Sequence, residues 1–271
     1  MHPVLFTLRV GEREFALRSY GVAIAIGFIV AIAVSVRRAK RYGEDADAVR
    51  DLCFWLLVSS LAGARLLFVL TNVRQFAAHG FARALNVWEG GLVFYGGLLA
   101  AIACAVWFTR RHGLRFARVA DLLAPQIALG HFFGRLGCYA AGCCWGAPTT
   151  LPWAVRFPSE SIAFQQLALS GRLSDAADVT APLHPVQLYE AGGNLALFAL
   201  LGWLLARKRW DGQVLVAYLI GYACLRFACE LVRADPGRKF VIPSLLSTSQ
   251  AIALLMIPLA VALWMRYRTV T

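Results

Sequence analysis

Two short segments place charged residues inside sequence that is otherwise apolar. Arg135 stands in GRLGCYAAGCCWG, directly after the apolar run LLAPQIALGHFF, and Arg226 and Glu230 stand four residues apart in RFACE. Residues four apart share one face of a helix, so Arg226 and Glu230 can form an ion pair. The guanidinium of arginine is a planar fork of N–H donors that matches phosphate oxygens, so a phosphate group is the candidate ligand of these arginines.

The composition indicates that these residues lie in a membrane protein. Hydrophobic residues make up 59% of the 271 residues, charged residues only 15%, and the mean hydropathy is +0.62. A helix needs about 20 mostly apolar residues to cross a bilayer core of about 30 Å. Seven stretches meet this need, near residues 19–36, 52–73, 89–109, 118–141, 185–206, 213–233 and 244–265. The sequence therefore predicts an all-α polytopic membrane protein with about seven transmembrane helices.

The distribution of charge predicts how the chain is oriented. Residues 1–18 are too polar to span a membrane and are expected to form an arm along its interface, ahead of a transmembrane domain at residues 19–266. Cytoplasmic loops are enriched in basic residues, which here concentrate in RRAKRYGEDADAVRD, RRHGLRFAR, RKR and the tail RYR. We therefore place the N-terminus outside and the C-terminus inside. This topology and attraction to anionic membrane lipids explain the net charge of +12, so no nucleic-acid partner is expected.

Away from their ends, the predicted spans contain three arginines, namely Arg65, Arg135 and Arg226. A charge at membrane depth is costly, so by default it marks a functional site or a buried ion pair. All three lie in the outer half of their spans, and further polar residues lie at similar depth near helix starts: Tyr20, Glu89, Tyr95 and Glu190. A structural ion pair would explain part of this pattern. Because the arginines outnumber the buried carboxylates, we expect positive charge without an internal partner, and the phosphate of an outer-leaflet lipid as its ligand.

Several segments together resemble the signatures of one protein family. They are SYG at 19–21, GAR at 63–65, VWEGGLVFYGG at 87–97, GRLGCYAAGCCWG at 134–146, HPVQLYEA at 184–191 and LRFACELVR at 225–233. In order and spacing along nearly the whole chain they resemble the prolipoprotein diacylglyceryl transferases. The resemblance implies seven helices, an N-terminal interfacial arm and a small external head, for which residues 146–183 are suitably placed.

The resemblance also implies a reaction. It is the transfer of the sn-1,2-diacylglyceryl group from phosphatidylglycerol to the lipobox cysteine thiol of a preprolipoprotein, with a thioether and glycerol 1-phosphate as products. No cofactor and no metal is implied. The setting would be the bacterial cytoplasmic (inner) membrane, with an active site that opens towards the outer leaflet, and nothing in the sequence demands more than a monomer.

Residue by residue, the resemblance implies a candidate site. Arg135 and Arg226 match arginines around the phospholipid headgroup, and Glu230 matches the acidic partner of the second. Glycine lets the backbone approach a headgroup closely, as Gly142 and Gly146 would do. The candidate catalytic residues are Arg135, Arg226, Glu230 and Tyr95, and the candidate lipid-binding residues are Tyr20, Arg65, Arg135, Gly142, Gly146 and Arg233.

The chain departs from the family pattern at its expected base. Tyr95 stands where better-studied members have a histidine that is proposed as the base. His131, one helix turn before Arg135, is an alternative base or simply a packed histidine. His184 is expected to have a capping or loop role. If the histidine base is obligatory, the chain recruits another group or carries out a different reaction.

Cysteine replaces two further residues of the family signature. Cys138 stands in place of an asparagine and Cys143 in place of a glutamate, beside Cys144, and Ala141 replaces a second asparagine. An oxidising exterior would permit a disulfide among the three, His131 could join them around a metal ion, or they could be packing residues. These three possibilities stay open at this point.

Two other functions are compatible with the same residues. A related membrane enzyme could use a different lipid or a different acceptor, as the substituted histidine and asparagine would allow. A non-catalytic phospholipid-binding protein or transporter could keep the arginines without the base. Transporters of this size often contain inverted repeats with paired broken helices, and no such repeat is visible in the sequence.

Overall fold

The computed structural model describes residues 3–10, 13–79, 84–86, 90–174, 177–243 and 245–268. Within these residues the chain is mainly helical. The helices are α1 (Ser19–Arg41), α2 (Ala46–Thr71), α3 (Val73–His79), α4 (Phe94–Arg111), α5 (Phe116–Ala141), α6 (Ile162–Leu169), α7 (Val186–Leu205), α8 (Gln213–Val232) and α9 (Thr248–Arg268). Glu89, which we expected near the start of a span, lies outside the described residues.

A long helix occurs at each of the seven predicted spans, with ends that differ by a few residues. Five of these helices, α1, α2, α7, α8 and α9, are long and apolar enough to cross a membrane. The other two, α4 and α5, are less apolar, since α4 ends in Arg110 and Arg111 and α5 carries Asp121 and Arg135. A polytopic membrane protein is therefore confirmed, while seven crossings stay a prediction.

Large apolar side chains cover the outer faces of these helices. Ile29 on α1 is 67% exposed, Leu66 on α2 is 60% exposed and Leu255 on α9 is 69% exposed. Such continuous apolar exposure is unfavourable in water but matches a hydrocarbon environment. The exposed apolar faces thus support insertion of these helices into lipid.

The chain divides into two compact units, of which the smaller is Val34–Val119. In this unit α2 packs against α4 through glycines. A Cβ atom added at Gly63 would overlap Ala100 and the backbone of Gly96, and one added at Gly97 would lie 2.9 Å from the carbonyl oxygen of Ser60. Small residues let membrane helices approach closely, so the GAR and YGG segments have a packing role here.

The larger unit comprises Met1–Ala33 and Ala120–Thr271 and begins with a β-hairpin. Strand β1 (Val4–Val10) pairs antiparallel with β2 (Arg13–Arg18). The Ser19 amide donates to the carbonyl oxygen of Pro3 at 3.1 Å, which ties the hairpin to the start of α1. The N-terminal arm was expected from its polarity, but its hairpin form was not, and it adds strands to a fold predicted as all-α.

The described residues of the segment 146–183, which we call the head, pack around an apolar core of their own, while their external position stays a prediction. Trp145, Phe157 and Leu183 are almost fully buried there, together with residues of α6. Single β-bridges connect Val155 to Leu183 and Pro158 to Val179. A second small sheet, β3 (Phe240–Ile242) with β4 (Leu246–Ser247), lies between α8 and α9.

A buried carboxylate on α5 caps the start of α8. Asp121 is fully buried, and its Oδ1 accepts hydrogen bonds from the amides of Val214 and Leu215 at 2.8 and 2.9 Å. Its Oδ2 accepts from the Gly212 amide and from Lys208 Nζ, both at 2.8 Å. The amides at a helix N-terminus have no partner within the helix, so Asp121 satisfies them and fixes α8 against α5.

We expect Asp121→Ala to destabilise the protein by about 3 kcal/mol, because it leaves the buried amides without their acceptor and leaves Lys208 with Asp211 as its partner. Thermal unfolding in a fixed detergent measures the change. Asp47→Ala is the matched control, since Asp47 is 79% exposed and pairs only with Arg50 on the surface. Equal unfolding temperatures for the two variants would contradict the capping role.

Candidate functional site

The larger unit contains a connected set of buried charges, which we call the arginine–carboxylate cluster. It consists of Arg135 from α5, Glu190 from α7, Arg226 and Glu230 from α8, and Arg238 from the segment after α8. The two carboxylates are each only 1% exposed. Ion pairs at this depth are much less weakened by solvent than surface pairs.

Glu190 lies between the two arginines that the sequence analysis singled out in this unit. Its Oε1 is 2.9 Å from Arg135 Nη2, and its Oε2 is 3.8 Å from Arg226 Nη1. One carboxylate therefore joins residues of α5, α7 and α8. Burial of either arginine would be costly without this shared partner.

The ion pair between Arg226 and Glu230, predicted from their spacing, is confirmed. Arg226 Nη2 lies 2.8 Å from Glu230 Oε2 and also donates to Ser249 Oγ of α9 at 2.9 Å. The other oxygen of Glu230 accepts from Arg238 Nε at 3.1 Å. Arg238 Nη1 in turn donates to the carbonyl oxygen of Arg233 at 2.6 Å.

Arg135 and Arg226 are both paired, so the expected excess of positive charge lies in the number of arginines over carboxylates in the cluster. Each has a buried carboxylate beside it, because an isolated charge in a low-dielectric interior is too costly to keep. The cluster nevertheless holds three guanidiniums and two carboxylates, so it retains one positive charge. Arg226 Nη1 is also buried without a hydrogen-bond partner among the described residues.

Polar residues on one face of α7 hold this arrangement. Gln187, Glu190 and Asn194 are spaced at helical periods and are all buried. Asn194 Nδ2 donates to the Glu190 carbonyl oxygen at 2.7 Å, and Gln187 Nε2 donates to the Cys143 carbonyl oxygen at 2.6 Å. This face of α7 thus connects the cluster to the loop that follows α5.

The glycines of that loop are surrounded by the protein itself. Gly142 has φ +73°, and a Cβ atom added there would lie 2.7 Å from Ser161 Cβ. A Cβ atom added at Gly146 would lie 2.6 Å from both Cβ and the carbonyl oxygen of His184. Both positions therefore need glycine for close backbone packing, whatever they contribute to lipid binding.

Three thiols lie together where α5 ends, with Cys138 in the last turn of the helix and Cys143 and Cys144 in the loop that follows. The sulfur atoms of Cys138, Cys143 and Cys144 are within 4.8 Å of one another, and all seven cysteines of the chain are free thiols. Cys144 has φ +59°, an unusual conformation for a residue with a side chain. Hydrogen bonds from the Cys138 and Cys143 thiols lower the pKa of the Cys144 thiol, and the charges of Arg233 and Arg135 add to this effect.

Arg233, a candidate lipid-binding residue, pairs with a neighbouring carboxylate. Its Nε contacts Asp235 Oδ1, and its Nη2 donates to Asp235 Oδ2 at 3.1 Å. Burial lowers the pKa of Arg233, but the hydrogen bonds to Asp235 outweigh it, so the pKa lies above its usual value. The Asp235 carboxylate also accepts from the Gly237 amide at 3.1 Å, which shapes the turn after α8.

Tyr20 and His131 lie near the cluster within the larger unit. Tyr20 is 41% exposed and packs on Gly137, whose added Cβ atom would lie 3.2 Å from Tyr20 Cα. His131 stacks obliquely on Tyr222, with ring centroids 4.7 Å apart, one helix turn from Arg135. His184 Nδ1 is 3.2 Å from the Tyr189 hydroxyl, in keeping with its expected loop role.

Arg65 and Tyr95 belong to the smaller unit. The Arg65 side chain donates to the carbonyl oxygens of Ala84 at 2.7 Å and Gly90 at 2.6 Å. Its guanidinium carbon lies 5.3 Å from the centre of the Phe68 ring. Tyr95 is 47% exposed at the start of α4. Their part in the site stays a prediction.

Sequence reasoning missed the roles of Glu190, Arg238 and Ser249 in the cluster. Glu190 gave a signal, since it is a carboxylate within an apolar span, but its two partners lie on other helices. Arg238 lies in a polar segment that has no periodic pattern, and Ser249 is a small hydroxyl residue with no distinctive spacing. Only the contacts in the folded structure identify Arg238 and Ser249 as partners of the cluster.

The apolar helices and the buried cationic cluster define an integral membrane protein suited to handling an anionic group. The chain belongs to the prolipoprotein diacylglyceryl transferase family, whose family model matches residues 3–266.

Several relatives are named phosphatidylglycerol–prolipoprotein diacylglyceryl transferase. That of Nitratidesulfovibrio vulgaris is 36% identical over 265 residues, which are 96% of this chain and 91% of the relative. That of Cereibacter sphaeroides is 35% identical over 253 residues, covering 89% and 83%. That of Bordetella bronchiseptica is 34% identical over 257 residues, covering 92% and 90%. The similarity therefore extends over nearly the whole length of these proteins.

We expect Glu190→Gln to destabilise the protein by about 3 kcal/mol, because Arg135 and Arg226 would then face each other without the charge that they share. Thermal unfolding in a fixed detergent measures this. Glu160→Gln is the matched control, since Glu160 is exposed on the head. A Glu190→Gln variant as stable as this control would show that Glu190 does not hold the cluster together.

Proposed function

We infer that this protein transfers the sn-1,2-diacylglyceryl group of phosphatidylglycerol to the lipobox cysteine of preprolipoproteins. The products are a thioether and glycerol 1-phosphate. The observation that carries this proposal is the buried arginine–carboxylate cluster with its one excess positive charge, in a chain of this family.

The charge of the cluster suits the leaving group of this reaction. The acceptor sulfur bonds to the glycerol carbon, and the bond between that carbon and a phosphate oxygen breaks. Negative charge therefore grows on the phosphate as glycerol 1-phosphate leaves. Fixed N–H donors aimed at developing negative charge lower the barrier, because they need no reorganisation during the reaction. We assign this role to Arg135 and Arg226.

The carboxylates of the cluster act as positioning residues in this proposal. Glu190 already pairs with Arg135 at 2.9 Å, and Glu230 pairs with Arg226 at 2.8 Å. Neither carboxylate is therefore well placed to accept a proton from a thiol. Glu230 instead fixes the fork of Arg226 at the depth where the lipid phosphate is expected. The thiol proton therefore has to leave by another route.

Tyr95 is proposed to assist at the base position that the family resemblance assigns to it. His131 is the alternative, one turn from Arg135. We further propose that Tyr20, Gly142, Gly146 and Arg233 shape the lipid site, and that Arg65 has the lipid-binding role that the family resemblance assigns to it.

We propose that the protein is a monomer of the bacterial cytoplasmic membrane. Seven helices would cross the bilayer, with the N-terminus and the head outside and the active site open towards the outer leaflet. Basic residues in the last turns of α1 and α9 support this orientation, because such residues favour the cytoplasmic side. The half-exposed side chains of Val4, Leu5 and Phe6 support contact of the hairpin with the membrane interface.

The proposed activity is tested by transfer of labelled diacylglyceryl from phosphatidylglycerol to a lipobox peptide by the purified protein. We expect Arg135→Ala and Arg226→Ala each to slow transfer by about 100-fold or more, as removal of a transition-state donor does. Arg226→Lys keeps the charge but loses the fork, so its rate should lie between those of the wild type and Arg226→Ala. Tyr95→Phe reports whether the tyrosine hydroxyl participates.

Arg172→Ala is the control variant, since Arg172 is an exposed arginine of the head. It should transfer at the wild-type rate. Absence of transfer by wild-type protein that has bound phosphatidylglycerol would refute the proposed activity and favour a different acceptor or a binding function. Wild-type rates in both Arg→Ala variants would refute the role of the cluster.

A further inference from the structure

We propose that Cys138, Cys143 and Cys144 form a binding site for Zn²⁺, with three thiolate ligands and a fourth coordination position left open. The site lies in the last turn of α5 and the loop that follows, next to the arginine–carboxylate cluster. The metal site stands on the geometry of the thiols, and only its part in the reaction depends on the proposed function.

The distances between the thiols fit a shared metal ion. Their sulfur atoms lie within 4.8 Å of one another. Thiolates at about 2.3 Å from one tetrahedral zinc ion are about 3.8 Å apart, so a contraction of about 1 Å or less completes the site. A disulfide would need its sulfurs at about 2.05 Å and would leave the third thiol unused.

The backbone of the loop directs these side chains together. Cys144 is the only residue other than glycine with positive φ in the described part of the chain, at +59°. Such a conformation is unfavourable and persists where the surroundings impose it. Here the Cys143 amide donates to the Cys138 carbonyl oxygen at 3.1 Å, and Gln187 Nε2 holds the Cys143 carbonyl oxygen at 2.6 Å.

Two nearby arginines can also compensate the charge of a three-thiolate zinc site. Three thiolates and Zn²⁺ sum to one negative charge, and two arginines are close in the fold. Arg135 precedes Cys138 by one turn of α5, and Arg233 forms a β-bridge with Gly146, two residues after Cys144. Thiolates are soft ligands that select zinc or copper(I) over magnesium or calcium, and an open fourth position is typical of catalytic zinc.

The open coordination position would allow the acceptor thiol to become a thiolate, which is its reactive form. Binding of the lipobox thiol to Zn²⁺ releases its proton to water, because the metal favours the thiolate. The sulfur electron pair then forms the bond to the glycerol carbon, the carbon–oxygen bond breaks, and its electron pair stays on the phosphate. The zinc ion is unchanged. Such a site would supply what the histidine base supplies in other family members.

The first test is the metal content of the protein purified in detergent without added metal. In the wild type we expect about one zinc ion per chain, measured by elemental mass spectrometry. The zinc content should fall at least tenfold in Cys138→Ser, Cys143→Ser and Cys144→Ser. Cys224→Ser is the matched control, because Cys224 is an exposed thiol on α8. It should keep its zinc.

Cobalt(II) tests the same site without reliance on variants that must fold. Wild-type protein stripped by a chelator and given Co²⁺ should show sulfur-to-cobalt charge-transfer absorption, which added Zn²⁺ abolishes. Absence of this absorption, zinc content at background level, or a Cys138–Cys143 disulfide detected by mass in unreduced protein would each overturn the site.

Transfer assays separate the metal proposal from the proposed function. Chelation should slow transfer by at least about tenfold, and Zn²⁺ should restore it. Full transfer by metal-free protein would overturn the catalytic role of the metal and leave the proposed function intact. Zinc bound at the three thiols without any transfer would overturn the proposed function and leave the metal site intact.

Discussion

The cost of burying charge in a low-dielectric interior is the constraint on which the site of this protein depends. Arg135 and Arg226 are tolerated inside a set of apolar helices because Glu190 and Glu230 lie beside them. Two carboxylates for three guanidiniums leave one positive charge. In the function that we propose, the residues that stabilise the fold would also bind the lipid phosphate.

The same requirement explains why the cluster joins several elements. Each carboxylate has partners on more than one segment, and Arg226 also bonds to Ser249 of α9. Loss of one helix contact would expose a charge rather than merely open a cavity. The loop that carries Cys143 and Cys144 is attached to this framework through Gln187, which lies on the same face of α7 as Glu190.

The sequence predicted the positions of the long helices and one contact of the site. Hydrophobic stretches located all seven helices, and the four-residue spacing predicted the pair between Arg226 and Glu230, because both signals are local. The hairpin of residues 4–18 was not predicted, since polarity alone does not distinguish an irregular arm from strands. Glu190 and Arg238 were missed because their partners are distant in sequence, and periodicity does not report which helices are neighbours.

The central claim is that the arginine–carboxylate cluster binds the phosphate of a lipid. The most direct test compares how phosphatidylglycerol and diacylglycerol of the same acyl composition shift the unfolding temperature of the wild type and of Arg226→Ala in detergent. We expect phosphatidylglycerol to raise the unfolding temperature of the wild type more than diacylglycerol does. We expect no such difference for Arg226→Ala. Equal stabilisation of the wild type by both lipids, or an unchanged difference in the variant, would contradict the central claim.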